Sequence, residues 1–170
     1  MSQLFSFPPI AAPDASCLIL GSMPGTASLA AQQYYAHPRN AFWPLLLQIL
    51  DLPETLSYAE RCQALRQHRI AVWDVLLACK RRGSLDADIE PESIVANDFA
   101  GFLAAHPQIR VLYFNGATAA NVYKRLVLPL LPPAAAALPR VQLPSTSPAH
   151  ATLDFGRKLA NWNRVNPALY

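Results

Sequence analysis

Cys17-Leu18-Ile19-Leu20-Gly21-Ser22-Met23-Pro24-Gly25 is the stretch on which the reading of this chain turns. Four apolar residues, two of them Leu and one the β-branched Ile, are too few for a helix and suit a buried strand. The Gly-x-x-Pro-Gly that follows ends the strand abruptly, because glycine and proline punctuate regular structure. A loop leaving the carboxyl end of a strand lies where open α/β folds bind ligands. The chain then runs through Tyr34-Tyr35-Ala36-His37-Pro38-Arg39-Asn40-Ala41-Phe42-Trp43. Aromatic and amide side chains on such a loop suit a flat heterocycle better than a lone sugar or a lipid.

Outward from this loop, strand and helix patterns alternate. Residues 41–50 and 58–68 read as helices, the second with Ala59, Cys62 and Leu65 on one stripe. Residues 70–77 form a short apolar run suited to a second strand. Residues 91–105 read as a helix with Pro91 in its first turn, 111–114 as a third strand, and 117–126 as a helix after the Asn115-Gly116 turn. Residues 131–139 read as a proline-rich surface connection, 141–143 as a fourth strand and 152–162 as a last amphipathic helix. Strands separated by helices pair in parallel through right-handed crossovers. The expected fold class is therefore α/β, a three-layer α/β/α sandwich around a four-stranded, mostly parallel sheet, in one domain over residues 1–170. Parallel strands would bring four unusual strand ends to one edge: Gly21 to Gly25, Asp74, Asn115-Gly116, and Pro144 to Pro148.

The composition narrows the class. With 170 residues, 52% of them hydrophobic and 15% charged, the chain can build one core and is not disordered. The apolar stretch 126–138 carries Pro129, Pro132 and Pro133 and is too short to span a bilayer. No basic region precedes a sustained apolar segment at the N-terminus, so no signal peptide and a cytoplasmic location are expected. Three cysteines, Cys17, Cys62 and Cys79, lack CxxC or histidine spacing and read as buried thiols. A net charge of +3 mildly favours anionic partners, with Lys80-Arg81-Arg82 as its densest cluster. No P-loop, dinucleotide fingerprint or metal motif is present.

Three segments, G-S-M-P-G from Gly21, Y-A-H-P-R-N-A-F-W from Tyr35 and L-P-S-T-S-P-A-H from Leu143, resemble the uracil-DNA glycosylase superfamily. That superfamily has a Gly-x-x-Pro loop after its first strand and a short Pro/Ser motif after its last, and both occur here in order. The His-Pro-x-Asn-x-Phe-Trp segment is similar to the mismatch-specific branch, and the whole combination looks most like the hypoxanthine-DNA glycosylase branch. Uracil-acting members have Asp or Asn at the third position of the first motif, where this chain has Met23. Their last motif begins with His or Asn, where this chain has Ser145. Members with an iron–sulfur cluster need four cysteines, so no cluster, metal or other cofactor is expected.

The resemblance implies an enzyme that flips a deaminated base, hypoxanthine foremost, out of DNA and hydrolyses its N-glycosidic bond, without a Schiff-base step. Asn40 takes the catalytic role, holding a water or the base, although Asn also caps helices well. Tyr35 lies where the superfamily stacks an aromatic on the extruded base. Asn115 pairs a donor with an acceptor for a base edge, and Gly21, Met23 and Ser145 border the base. Asp74, a carboxylate within an apolar strand, either bonds structurally or orients the base. Ser147 and His150 belong to the loop expected to press into the duplex, and Arg39, Lys80, Arg81 and Arg82 offer phosphate contacts. The alternatives are a uracil- or mismatch-specific glycosylase, a hydrolase of free nucleosides, and a non-catalytic nucleic-acid-binding module. The expected partner is DNA carrying a deaminated base, with no membrane, and the expected state a monomer.

Overall fold

The computed structural model describes residues 1–169. In chain order the elements are β1 (Leu4–Phe5), β2 (Cys17–Gly21), α1 (Thr26–Ala31), α2 (Phe42–Ile49), α3 (Tyr58–Gln67), β3 (Ile70–Asp74) and β4 (Leu76–Cys79). They continue with β5 (Val95–Ala96), α4 (Phe99–Ala105), β6 (Val111–Asn115), α5 (Ala117–Val122), α6 (Pro133–Ala136), β7 (Arg140–Leu143) and α7 (Phe155–Trp162). The main sheet has the order β3-β2-β6-β7 and every pairing in it is parallel. Gly21 sits opposite Asp74 and Asn115 opposite Leu143, so the strands end level with one another.

Alternation along the strands builds two cores. Leu18, Leu20, Ala71, Trp73, Leu112 and Phe114 face one way and pack with Phe99, Phe102 and Leu103 of α4 and with Ala119 and Val122 of α5. Cys17, Ile19, Ile70, Val72 and Tyr113 face the other way, onto Phe42, Leu45 and Leu46 of α2, Cys62 and Leu65 of α3, and Trp162 of α7. Both faces of the sheet are thus covered, which is why β2, β3 and β6 read as continuous apolar runs. The result is the α/β sandwich around a four-stranded parallel sheet.

Helix boundaries follow their caps. Ser57 Oγ accepts the Glu60 N–H at 3.2 Å to open α3, and Asp98 Oδ1 accepts the Gly101 N–H at 3.0 Å to open α4. Asp154 Oδ1 accepts the Arg157 N–H at 2.8 Å, so the last helix starts at Phe155 rather than at residue 152.

Four further expectations need correction. The run 70–77 is two strands, not one: past Asp74, the Val75 and Leu76 N–H groups bond to Gly21 and Ser22 carbonyls at 2.8 and 3.1 Å. The chain then leaves the main sheet and β4 joins β1 and β5 in a second, antiparallel sheet of three strands. Residues 91–105 are helical as α4 only from Phe99 onward, because Val95 and Ala96 pair with β4 first. The proline-rich connection contains the one-turn α6, started by Pro133. The loop between Gly21 and Phe42 contains α1, closed by Gln32 in the left-handed region at φ 53°.

Candidate active site

The four strand ends converge as the parallel order requires. Together they line a single cleft with Gly21 to Gly25, Tyr34, Tyr35, His37, Asn40, Asp74, Asn115 and Ser145 to Pro148. Of the residues singled out from sequence, Gly21, Met23, Tyr35, Asn40, Asp74, Asn115, Ser145 and Ser147 are brought together there. Arg39, Lys80, Arg81, Arg82 and His150 are not part of this lining.

Gly21 is placed by close approach. A methyl group at Gly21 would lie 2.6 Å from Asp74 Oδ1 and 2.8 Å from the Tyr35 hydroxyl oxygen. Its bareness lets both groups reach the cleft from opposite neighbours. Tyr35 has φ 54°, a conformation that a bulky residue rarely adopts without need. Its ring stacks on Phe42 with centroids 4.0 Å apart and planes at 22°. Tyr34 is locked beside it, donating to Pro8 O at 2.8 Å, while its own carbonyl accepts the Trp43 Nε1–H at 2.9 Å.

Asp74 is 3% exposed and its Oδ2 has no hydrogen-bond partner among the described residues; the same holds for the Tyr35 hydroxyl. Burial, with the Asp86 carboxylate second, pushes the Asp74 carboxyl up to about 7, against the pull of Arg81. Burial, then the neighbouring Asp74, pushes the Tyr35 phenol above its ordinary range, against an opposing pull from the nearby Asn115 side chain. Met23 is 7% exposed and lies in the cleft wall. Its thioether neither accepts a proton nor orients water at ordinary pH.

Asn40 combines two roles. It lines the cleft, and its Oδ1 accepts the Phe42 N–H at 3.0 Å, fixing the start of α2. His37 beside it accepts the Arg39 N–H on Nδ1 at 3.0 Å, so its other ring nitrogen carries the proton when the ring is neutral.

Asn115 departs from the expected base-edge reader. Its Nδ2 donates to Thr146 Oγ1 at 2.9 Å and its Oδ1 accepts the Thr146 N–H at 2.9 Å. Donor and acceptor are both engaged in holding the last loop, and Thr146 is 1% exposed. Ser145 Oγ accepts the Ser147 N–H and Ser147 Oγ accepts the Ala149 N–H, each at 3.2 Å, so these serines also shape the loop from within. His150 bonds across to Thr152, and its carbonyl accepts from the Lys158 ammonium at 2.8 Å. Lys158 is buried, and that burial lowers its pKa.

Arg81 is a correction. The expected phosphate contact is 5% exposed and points inward. It donates from Nη2 to Pro24 O at 2.5 Å and from Nε to Gly83 O at 2.8 Å. Lys80 and Arg82 on either side are exposed, as is Arg39. Three further bonds tie the segment after Arg81 to the first loop. Ser22 donates to Asp86 Oδ1 at 2.7 Å, and Ser84 Oγ meets both the N–H and the hydroxyl of Thr26 at 2.8 Å. Ser84 and Asp86 therefore join Ser22 in the cleft wall, a placement the sequence does not show, because it needs the Gly83 turn at φ 72° to fold the segment back.

Among the described residues no group of three or more His, Cys, Asp or Glu side chains is placed to hold a metal ion, and the three cysteines are buried free thiols. No helix among them is long and apolar enough to cross a membrane.

Known proteins resemble this chain in sequence and in fold. A family model described as the uracil DNA glycosylase superfamily matches residues 8–169. A protein of Methanosarcina barkeri named hypoxanthine DNA glycosylase is 41% identical over 112 residues, covering 65% of this chain and 69% of its own. Its namesake in Methanosarcina acetivorans is 38% identical over 111 residues, with the same coverage of 65% and 69%. The solution NMR structure of a candidate uracil DNA glycosylase from Methanosarcina acetivorans superimposes with a TM-score of 0.81 at 31% identity, over 99% of both chains.

Proposed function

The chain belongs to the uracil DNA glycosylase superfamily, and on that premise we propose that its cleft receives a hypoxanthine base flipped out of DNA and releases it by hydrolysis. The enzyme is a DNA glycosylase, a hydrolase of N-glycosyl bonds, and its substrate is DNA. The relatives named hypoxanthine DNA glycosylase support the choice of base. The observation that carries the reading is the cleft itself, where Gly21, Tyr35, Asn40 and Asp74 face one space at the carboxyl edge of the sheet.

Flipping costs a few kcal/mol, and least at a weak pair such as a deaminated base makes. The Tyr35–Phe42 stack forms a rigid aromatic wall for the extruded base, with base–aromatic contact worth about 1–3 kcal/mol. Asn40 has its Oδ1 engaged by the Phe42 N–H, which leaves its amide nitrogen to position water or base in the cleft. With Met23 in place of a base, the bond to the sugar breaks ahead of water addition, through an oxocarbenium-like sugar. Lys80, Arg82 and Arg39 lie at the surface to meet phosphates, and the 145–150 loop faces the duplex. We take the protein to work as a cytoplasmic monomer without a cofactor.

The test is excision from end-labelled duplexes carrying one hypoxanthine, xanthine or uracil, followed by alkali cleavage. Strand scission foremost at hypoxanthine is expected. Scission mainly at uracil overturns the base assignment. No scission at any lesion, with salt-dependent duplex binding retained, would turn the chain into a binding module.

A further inference from the structure

Most titratable groups lining the cleft are already engaged. Asp86 Oδ1 accepts from Ser22, His37 Nδ1 accepts from Arg39, and the Tyr34 hydroxyl donates to Pro8 O. Of the buried polar atoms without a hydrogen-bond partner among the described residues, two belong to the cleft lining, the Tyr35 hydroxyl and Asp74 Oδ2, and both flank Gly21. A buried polar group without a partner is costly unless a ligand satisfies it. Neither has an obvious structural duty: Asp74 ends β3 and uses its backbone carbonyl, not its carboxyl, to accept from Asn97 Nδ2 at 2.8 Å.

The surroundings decide which form the carboxyl takes. Asp86 faces it as a second anion, Arg81 as a cation engaged elsewhere, and Tyr34 and Tyr35 as neutral phenols. Desolvation and Asp86 together outweigh Arg81, so the carboxyl holds a proton into the neutral range. A buried carboxylic acid kept neutral is a hydrogen-bond donor, a known route to stabilising developing negative charge. Meanwhile Met23 in the cleft wall offers no base to activate water. The acceleration must therefore come from the leaving side.

We propose, resting on the glycosylase reading above, that Asp74 is the general acid of the reaction and gives its proton to the departing purine. The bond between C1′ of the sugar and N9 of the base breaks, and its electron pair goes to the purine. The Asp74 proton goes to a ring nitrogen of that purine, N3 or N7, so hypoxanthine leaves neutral. Water held at Asn40 then adds to C1′, and the proton it loses restores the Asp74 acid. Uracil has no unprotonated ring nitrogen to receive the proton, so this acid favours purines over pyrimidines.

The experiment is single-turnover excision at saturating enzyme, from duplexes carrying hypoxanthine, 3-deazahypoxanthine or 7-deazahypoxanthine, by wild type and Asp74→Asn across pH 5–9. Wild-type excision of hypoxanthine should fall as pH rises through about 7. Asp74→Asn should lose roughly 100-fold, as for a missing general acid, with a rate flat in pH. One deaza base should slow wild type by a similar factor and slow Asp74→Asn no further. Wild-type rates in Asp74→Asn, or losses that multiply when variant and deaza base are combined, would overturn the proposal. If Asp74→Asn does not fold, equal wild-type rates on all three bases overturn it. Wild type inert on hypoxanthine itself defeats the glycosylase reading, and the acid with it.

Discussion

Asn115 and Asp74 end the two strands that flank β2 in the same parallel sheet, and both line the cleft. Their side chains are used in opposite ways. The Asn115 amide is locked to Thr146 by two bonds of 2.9 Å, while Asp74 Oδ2 meets no partner among the described residues. One strand end is finished by the fold and the other is left for a ligand. The difference teaches where to look for chemistry: a buried polar group satisfied internally fixes a loop, and one left over at a cleft costs stability that binding recovers.

The largest expected effect follows from that cost. Folded Asp74 keeps its proton up to about pH 7, whereas a solvated Asp carboxyl in the unfolded chain releases it at about 3.9. Between those values the native state binds more protons than the unfolded one, so wild-type stability falls as pH rises through this window. At about 1.4 kcal/mol per unit the penalty reaches about 4 kcal/mol above pH 7. Asp74→Asn removes it. Urea melts should show the variant more stable than wild type at pH 8, with the gain shrinking as pH falls toward 4. A gain that grows toward low pH would mean that the carboxyl is stabilised as an anion.

Asn40→Ala should reduce hypoxanthine excision by about 100- to 1000-fold, the range for removing one preorganised donor. It should also cost about 1 kcal/mol of stability through the lost Phe42 contact. Gel-based single-turnover rates and thermal melts separate the two losses. Gly21→Ala forces its methyl against Asp74 Oδ1 and the Tyr35 hydroxyl, at 2.6 and 2.8 Å before relaxation. Displacing both by an ångström should cost about 100-fold in the rate, whereas a rate near wild type would show that neither group meets the substrate.

Asn115→Ala breaks two bonds to Thr146 and should destabilise the fold by about 2 kcal/mol. Its excision rate at saturating enzyme should stay within roughly tenfold of wild type, with the lost loop order read as weaker duplex binding. The smallest effect belongs to the exposed Lys80 and Arg82. Replacing either by Ala should lower the slope of log affinity against log salt by about 1 if it meets a phosphate. Arg81→Ala should instead lower the melting temperature, because its guanidinium holds the Pro24 carbonyl.

Much of this arrangement is legible from the chain alone. Three runs of four apolar residues, ended by Gly21, Asp74 and Asn115, predict both the parallel sheet and the shared edge, because level strand ends force those residues together. Cap residues would have sharpened the helix starts: Asp98 and Asp154 are visible signals. Strands of two residues are different. β1 and β5 carry no periodicity, and only their pairing to β4 defines them. The inward turn of Arg81 is equally invisible, since a buried arginine and a solvated one look alike in a basic run until Pro24 and Gly83 supply its acceptors. The engagement of Asn115 depends on Thr146, thirty-one residues away, and spacing of that kind leaves no local mark.

The comparison between the two strand ends is tested most directly by one measurement: single-turnover excision of hypoxanthine at saturating enzyme by Asp74→Asn and Asn115→Ala, side by side with wild type. The structure predicts a rate about 100-fold down for Asp74→Asn and nearly preserved for Asn115→Ala. A preserved rate in Asp74→Asn with a collapsed one in Asn115→Ala would contradict it, and would assign the base to the strand end that the fold has already closed.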